Sequence, residues 1–457
     1  MHLFDTLSGT KKELIPLAED GVVRMYVCGI TPYSESHVGH ALKAVVFDVL
    51  RRYLEWRGVA IRHVENFTDI DDKLIDRSQS LGIPMSVLAE QNIGAYLRNL
   101  EVMNILPAHE YPRVTERIPQ IIEMVQGLVN NGHAYASGGD VYYRVRSFGA
   151  VRYGALSKRN VDDLISGSRV DVTELKDDPL DFALWKGAKD GEPSWESPWG
   201  PGRPGWHIEC SAMALSALGE EIDIHGGGAD LIFPHHTNEI AQTEGYTGKP
   251  FARIWAHCAL LQLGSDKMSK SSGNLVTIGE ALQRYGPDAM RLFVLTSHYG
   301  SPSTYSDEAM DAAVAGTKRL REAAFLVAPS VSQKADVATD GSRERFTAAL
   351  DDDLNTPQAL AVLFELARDI NRGRDQGRDI YAAQAALREL AGVLGLTLAA
   401  AVSRSQEAAP FIDLLVSLRT DLRTAKQWAL ADRVRDGLAE LGVEVKDGAE
   451  GTKWEAR

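Results

Sequence analysis

Three segments near the start of the chain constrain its fold most. Residues 22–28 (Val-Val-Arg-Met-Tyr-Val-Cys) are β-rich. The stretch from about 37 to 57 carries Val45, Val46, Val49, Leu50, Tyr53 and Leu54 at helical spacing, with Gly58 as a stop, and 60–66 reads as the next strand. A strand–helix–strand order of this kind requires a parallel sheet with a right-handed crossover. Strand signals return at 221–225 and 254–257. The expected fold is therefore α/β: a doubly wound, Rossmann-like nucleotide-binding sheet, split by an insertion.

The rest of the chain divides by composition. Residues 1–106 form the first half of the sheet domain, and 107–205, rich in Gly, Pro, Asp and Trp, are the insertion. Residues 206–306 form the second half with a mobile lysine loop, and 307–400 are an Ala/Leu/Arg-rich α-helical bundle. Asn355-Thr356-Pro357 is a helix start, a capping side chain followed by proline. Residues 399–410 read as a linker. Residues 411–457 read as a small α+β module, with a helix at 422–441, a β-like 443–445 and a polar end.

The 457 residues, 44% hydrophobic and 25% charged, have the composition of a folded soluble protein, not of a disordered or collagen-like one. No charged and apolar leader opens the chain. The longest apolar run, about 391–402, is short of the roughly 20 residues that span a bilayer. Three cysteines, Cys28, Cys210 and Cys258, cannot build a disulfide framework, which points to a reducing cytoplasm. A net charge of −14 argues against a broad basic face. It leaves room for local patches at Lys318, Arg319 and Arg321, at Arg368, Arg372 and Arg374, or at Arg419, Arg423 and Lys426, which read equally well as solvated helix faces.

Four motifs carry chemistry. His37-Val38-Gly39-His40 stands where the first strand gives way to a helix. There, free N–H groups and the positive dipole end suit a phosphate chain, and Gly39 permits close backbone approach. The plainer reading is two histidines capping a helix. Lys267-Met268-Ser269-Lys270-Ser271 lies in a Gly/Ser-rich loop, where two ammonium groups can meet a pyrophosphate leaving group. Most short Lys/Ser loops are only solvated turns. Gly226-Gly227-Gly228-Ala229-Asp230 follows a strand ending at His225, where α/β proteins place ligands, and Asp230 suits an ammonium group. A tight turn with a capping Asp is the alternative. Cys28, Cys210 and His235-His236-x-x-Glu239 offer a metal-ligand set of two thiolates, an imidazole and a carboxylate. Scattered buried cysteines are commoner, and Cys258 reads as core filling.

The order of Cys-Gly-Ile-Thr-Pro-Tyr-Ser-Glu-Ser-His-Val-Gly-His (28–40), Asn-Phe-Thr-Asp-Ile-Asp-Asp-Lys (66–73), Gly-Gly-Gly-Ala-Asp-Leu-Ile-Phe-Pro-His-His-Thr-Asn-Glu (226–239) and Lys-Met-Ser-Lys-Ser (267–271) resembles the cysteinyl-tRNA synthetases. These belong to class I of the aminoacyl-tRNA synthetases. The likeness extends to Arg-Pro-Gly-Trp-His-Ile-Glu-Cys (203–210) and Gly-Thr-Lys-Trp (451–454). It implies ATP-dependent activation of L-cysteine and transfer to tRNA(Cys), by a cytoplasmic enzyme expected to be a monomer.

The resemblance implies one Zn²⁺ on Cys28, Cys210, His235 and Glu239, and Mg²⁺ with ATP. It implies His37, Gly39, His40, Lys267 and Lys270 as the nucleotide and catalytic set. Thr31, Thr68, Trp206, His225 and Asp230 would form the amino-acid pocket, and Arg423, Trp428, Asp432 and Asp447 would read the anticodon.

Two departures stand out. The usual Pro-Thr-Val-Tyr after Cys-Gly is Ile30-Thr31-Pro32-Tyr33, and the arginine common after the second signature histidine and its alanine is Leu42. The first is also similar to a cysteine ligase that uses an amino-sugar acceptor, so that acceptor is the nearest rival. A zinc hydrolase on His235, His236 and Glu239 would have no use for the histidine signature or the lysine loop. A catalytically silent nucleotide- or RNA-binding relative would have no use for four complete motifs.

Overall fold

The computed structural model describes residues 1–160, 175–263, 266–267, 276–326, 337, 339, 341–399, 404–441, 443–448 and 451–456. It divides into two compact units, 1–398 and 399–457. Among the described residues no helix is long and apolar enough to cross a membrane.

A short antiparallel hairpin, β1 (His2–Asp5) and β2 (Thr10–Glu13), opens the first unit. Then come β3 (Val23–Ile30), helix α1 (Val38–Trp56) and β4 (Ile61–Phe67). The two strands pair in parallel, as the strand–helix–strand order requires. The insertion contributes an antiparallel sheet of β5 (Ala134–Ser137), β6 (Asp140–Tyr143), β7 (Phe182–Gly187) and β8 (Gly202–Pro204). The central sheet resumes with β9 (Ile222–Gly228) and β10 (Ala252–Cys258), giving the order β10-β9-β3-β4 with all pairs parallel. Its strands are buried on both faces, which is why they read as nearly continuous apolar runs.

The order carries a functional consequence. The chain leaves β3 toward β4 on one side and returns as β9 on the other. A crevice opens where the direction reverses, beyond the carboxyl ends of β3 and β9, which is where such sheets bind ligands.

Helices Asp307–Phe325, Ser342–Asp351, Thr356–Asp375 and Tyr381–Val393 follow. Asn355 caps the third through Gln358 N, with Pro357 in its first turn. Arg291, fully buried, joins these helices to the sheet domain. Its guanidinium pairs with Asp48 of α1 and donates to the carbonyls of Met103 and Leu394.

In the second unit, helices Arg404–Thr424 and Trp428–Glu440 precede an antiparallel pair, Val443–Gly448 with Gly451–Ala456. Three expectations change here. The linker read at 399–410 is helical from Arg404, because Gln406, Glu407, Ala408 and Ala409 are helix formers. The single helix at 422–441 is two, broken around Lys426, whose φ is 57°. The polar end is a strand, since it finds a partner in Val443–Gly448.

Candidate active site and metal centre

Strand β3 ends at a bulge. Val27 pairs with Glu65 and Ile30 with Phe67, so Cys28 and Gly29 together stand against Asn66 alone. Gly29 is required there: a Cβ on it would lie 1.6 Å from the Asn66 carbonyl oxygen. The bulge sets the Cys28 thiol at the crevice floor. Cys210 arrives on the helix Trp206–Leu218. The regular helix is Thr237–Thr247, and His235 sits on the irregular turn Ile232–His236 before it. His235 and Glu239 still meet, Nε2 to Oε1, at 3.1 Å.

Two overlapping donor sets result. Cys28, Cys210, His235 and Glu239 present ligand atoms all within 4.8 Å of one another, and so do Cys28, His225, His236 and Glu239. All are buried. Glu239 is fully enclosed; the Cys28 thiol donates to it, and among the described residues the basic groups beside it are the imidazoles of His225, His235 and His236. Two of them, His235 and His236, are poor sources of charge. Burial pushes His235 down to about 3, with neighbouring histidines adding to the shift, and pushes His236 well below its ordinary value. Burial also drives the Cys28 thiol well above its usual range, helped by Cys210 and Glu239. A buried carboxylate beside two thiols and the lowered imidazoles of His235 and His236 is short of positive charge. A divalent cation would supply it, and soft sulfur with imidazole and carboxylate is a donor set that metals of the zinc type favour.

The crevice above the cluster is a cavity of about 350 Å³, walled by Cys28, Thr31, His37, Gly39, His40, Trp206 and Asp230 among others. His37 is the N-cap of α1. Its Nδ1 accepts from Gly39 N, and its own N–H donates to His40 Nδ1, both at 3.2 Å. The rings stack with centroids 3.9 Å apart. Capping and cavity lining are thus the same arrangement, not alternatives. Trp206 stands over His235, centroids 4.4 Å apart. Thr68 is buried and accepts from Asn66, and His225 lies among Tyr26, Trp255 and His236; neither lines the cavity.

Lys267 is in a short strand paired with Gln262, its side chain outside the described residues, and Lys270 is outside them altogether. In the second unit Arg423 is in the last turn of the first helix, and Trp428, 57% exposed, and Asp432 are on the second. Asp432 pairs with Arg435, and the Asp447 side chain lies outside the described residues.

The sequence reading did not find a relay behind the cluster. His236 Nε2 lies 3.3 Å from Cys28 Sγ, its Nδ1 is 2.8 Å from His257 Nε2, and His257 Nδ1 is 2.8 Å from Thr6 Oγ1. His207 Nδ1 likewise meets His235 Nδ1 at 3.0 Å. The sequence signal was the count of histidines inside the recognised motifs and on the strand through His257. Lys73, from the Asp-Ile-Asp-Asp-Lys motif, also lines the cavity, its ammonium over the Tyr33 ring.

Residues 14–315 match the family described as the tRNA synthetases class I (C) catalytic domain, and 345–399 match the DALR domain. With its ligand cavity at the reversal of strand order, the protein is a class I aminoacyl-tRNA synthetase. Solved structures share the fold. Methionyl-tRNA synthetase of Mycobacterium tuberculosis bound by methionyl-adenylate aligns with a TM-score of 0.62 at 18% identity, over 82% of this chain and 88% of that one. The leucyl enzyme of Agrobacterium radiobacter aligns at 0.57 and 10%, over 84% of each. In sequence the chain is 53% identical to the cysteine–tRNA ligase of Dehalococcoides mccartyi over 459 aligned residues, 100% of both chains. It is 48% identical to that of Pseudomonas paraeruginosa over 99% of both. The chain belongs to the cysteine–tRNA ligase family.

Proposed function

We propose that the protein activates L-cysteine with ATP and transfers it to the 3′ end of tRNA(Cys), with Zn²⁺ on Cys28, Cys210, His235 and Glu239. The observation that carries this reading is the convergence, on one crevice, of a buried four-donor cluster and a histidine-capped helix start.

Serine is nearly isosteric with cysteine, and a pocket that reads shape alone separates such pairs by only about 10–200-fold. Bound zinc supplies an affinity for soft thiolate that a hydroxyl does not share. Asp230 holds the α-ammonium group, and Thr31 and Trp206 close the pocket around the side chain. ATP, carried in as its Mg²⁺ complex, lays its phosphates across the start of α1, where His37, His40 and the backbone at Gly39 receive them. The cysteine carboxylate attacks the α-phosphorus, the bond to the β-phosphate oxygen breaks, and pyrophosphate leaves. Lys267 and Lys270 neutralise the charge that develops on it. The terminal ribose hydroxyl of tRNA then attacks the carbonyl carbon, and AMP departs. No covalent enzyme intermediate is needed, because positioning and electrostatics suffice.

The helices of 307–400 and the module 411–457 hold the tRNA, with Arg423, Trp428, Asp432 and Asp447 toward the anticodon. The enzyme works in the cytoplasm as a monomer. Cysteine-dependent ATP–pyrophosphate exchange, run with and without a zinc chelator, tests the reading. Exchange that requires cysteine and is lost with the metal supports it, and turnover without ATP refutes it.

A further inference from the structure

The bulge takes Cys28 out of register with β4, and a side chain meets its carbonyl. Lys43 Nζ donates to the Cys28 carbonyl oxygen at 2.6 Å and pairs with Glu65 Oε1 at 2.9 Å. Tyr96 OH donates to the same carboxylate oxygen at 3.1 Å. The lysine and glutamate side chains are 9% and 5% exposed. Lys43 follows His40 by three positions on α1, so both are on one face of the helix, and both line the cavity. One ammonium group therefore ties the helix that carries the phosphate-binding histidines to the backbone of a residue present in both donor sets.

Stability does not account for this arrangement. A buried ion pair contributes little or nothing beyond apolar residues of the same volume. What an apolar pair cannot do is bond the Cys28 carbonyl.

We propose that Lys43, held in place by Glu65 and Tyr96, is a positioning residue. It fixes Cys28 against α1, so that the metal cluster and the phosphate site keep one spacing across the cavity. The proposal rests on reading that cavity as the site of cysteine activation, where a single adenylate must reach both ends.

The test compares the parent with Lys43→Met/Glu65→Met and with Tyr96→Phe. The readouts are melting temperature, the rate of metal loss to a chelator, the thiolate-to-metal absorption of the Co²⁺-substituted protein and the KM for cysteine. The double variant replaces the pair by apolar groups but orphans the Cys28 carbonyl and the Tyr96 hydroxyl, so it should fold and melt a few degrees below the parent. It should still release metal about 10–100-fold faster, the range found when supports behind metal ligands are removed. Its Co²⁺ spectrum should shift, and its cysteine KM should rise. Tyr96→Phe removes one hydroxyl and should show the same changes, smaller, in a chain that folds normally. Parent-like metal release, spectrum and KM in either folded variant overturn the proposal. A parent that holds no metal and shows no cysteine-dependent exchange overturns the activation reading itself.

Discussion

The sulfur of Cys28 lies 3.4 Å from Glu239 Oε1, although 211 residues separate the two along the chain. The contact joins the end of a central strand to the helix beyond the glycine turn, and the proposed metal chemistry depends on it. Cys28→Ser exchanges a soft donor for a hard one in both donor sets. Its affinity for Zn²⁺ should fall by more than about 100-fold, beyond what loss of a supporting residue costs. Competition against a chromophoric chelator measures this, and stoichiometric retention of tightly held metal in the variant would speak against the ligand set.

Lys270 is assigned to the departing pyrophosphate. Removing one group that stabilises charge only in the transition state costs about 10²–10³ in rate. Lys270→Ala should therefore slow ATP–pyrophosphate exchange by that factor while changing the KM for cysteine little. Near-normal exchange would remove the loop from the chemistry.

Arg291 ties the helical region to the sheet domain. Burial lowers the pKa of its guanidinium, opposed by Asp48, and the group spends its donors on Asp48 and on carbonyls from two other segments. Arg291→Met leaves Asp48 buried with Arg52 as its remaining cation, and should cost about 3–5 kcal/mol. Arg291→Lys should not rescue, because one ammonium cannot reproduce the fork. Gly395, at φ 70°, packs so closely that a Cβ would lie 1.8 Å from the arginine Nη2, so Gly395→Ala should also destabilise. Urea unfolding of the three variants decides.

Burial pushes His63 down to about 4, with Glu65 partly opposing the shift. An unfolded chain protonates the same ring near 6.5. Between those values the unfolded state binds more protons. The contribution of His63 to stability is thus complete above about pH 6.5 and is lost as pH falls toward 4, at up to about 1.4 kcal/mol per unit. His63→Phe should flatten that part of the stability curve. Equal slopes for parent and variant between pH 6.5 and 4 would contradict the assignment.

The central strands and α1 were legible because parallel strands buried on both faces leave unbroken apolar runs, and because Gly58 marks a stop. The pairing of His235 with Glu239 was legible from spacing, although the turn that delivers His235 is not a regular helix. The contacts of Lys43 with Glu65, of His236 with His257 and of His257 with Thr6 were not. They join residues far apart in sequence through a bulge and a strand order that no local pattern encodes. The last strand, Gly451–Ala456, was missed for a related reason: Gly-Thr-Lys-Trp-Glu-Ala is a strand only because Val443–Gly448 pairs with it.

X-ray absorption at the zinc edge, recorded before and after cysteine is added to the metal-loaded enzyme, tests the central claim most directly. The account predicts that cysteine adds one sulfur to the scatterers at about 2.3 Å and that serine adds none. A sulfur shell that stays the same when cysteine saturates the enzyme would contradict it.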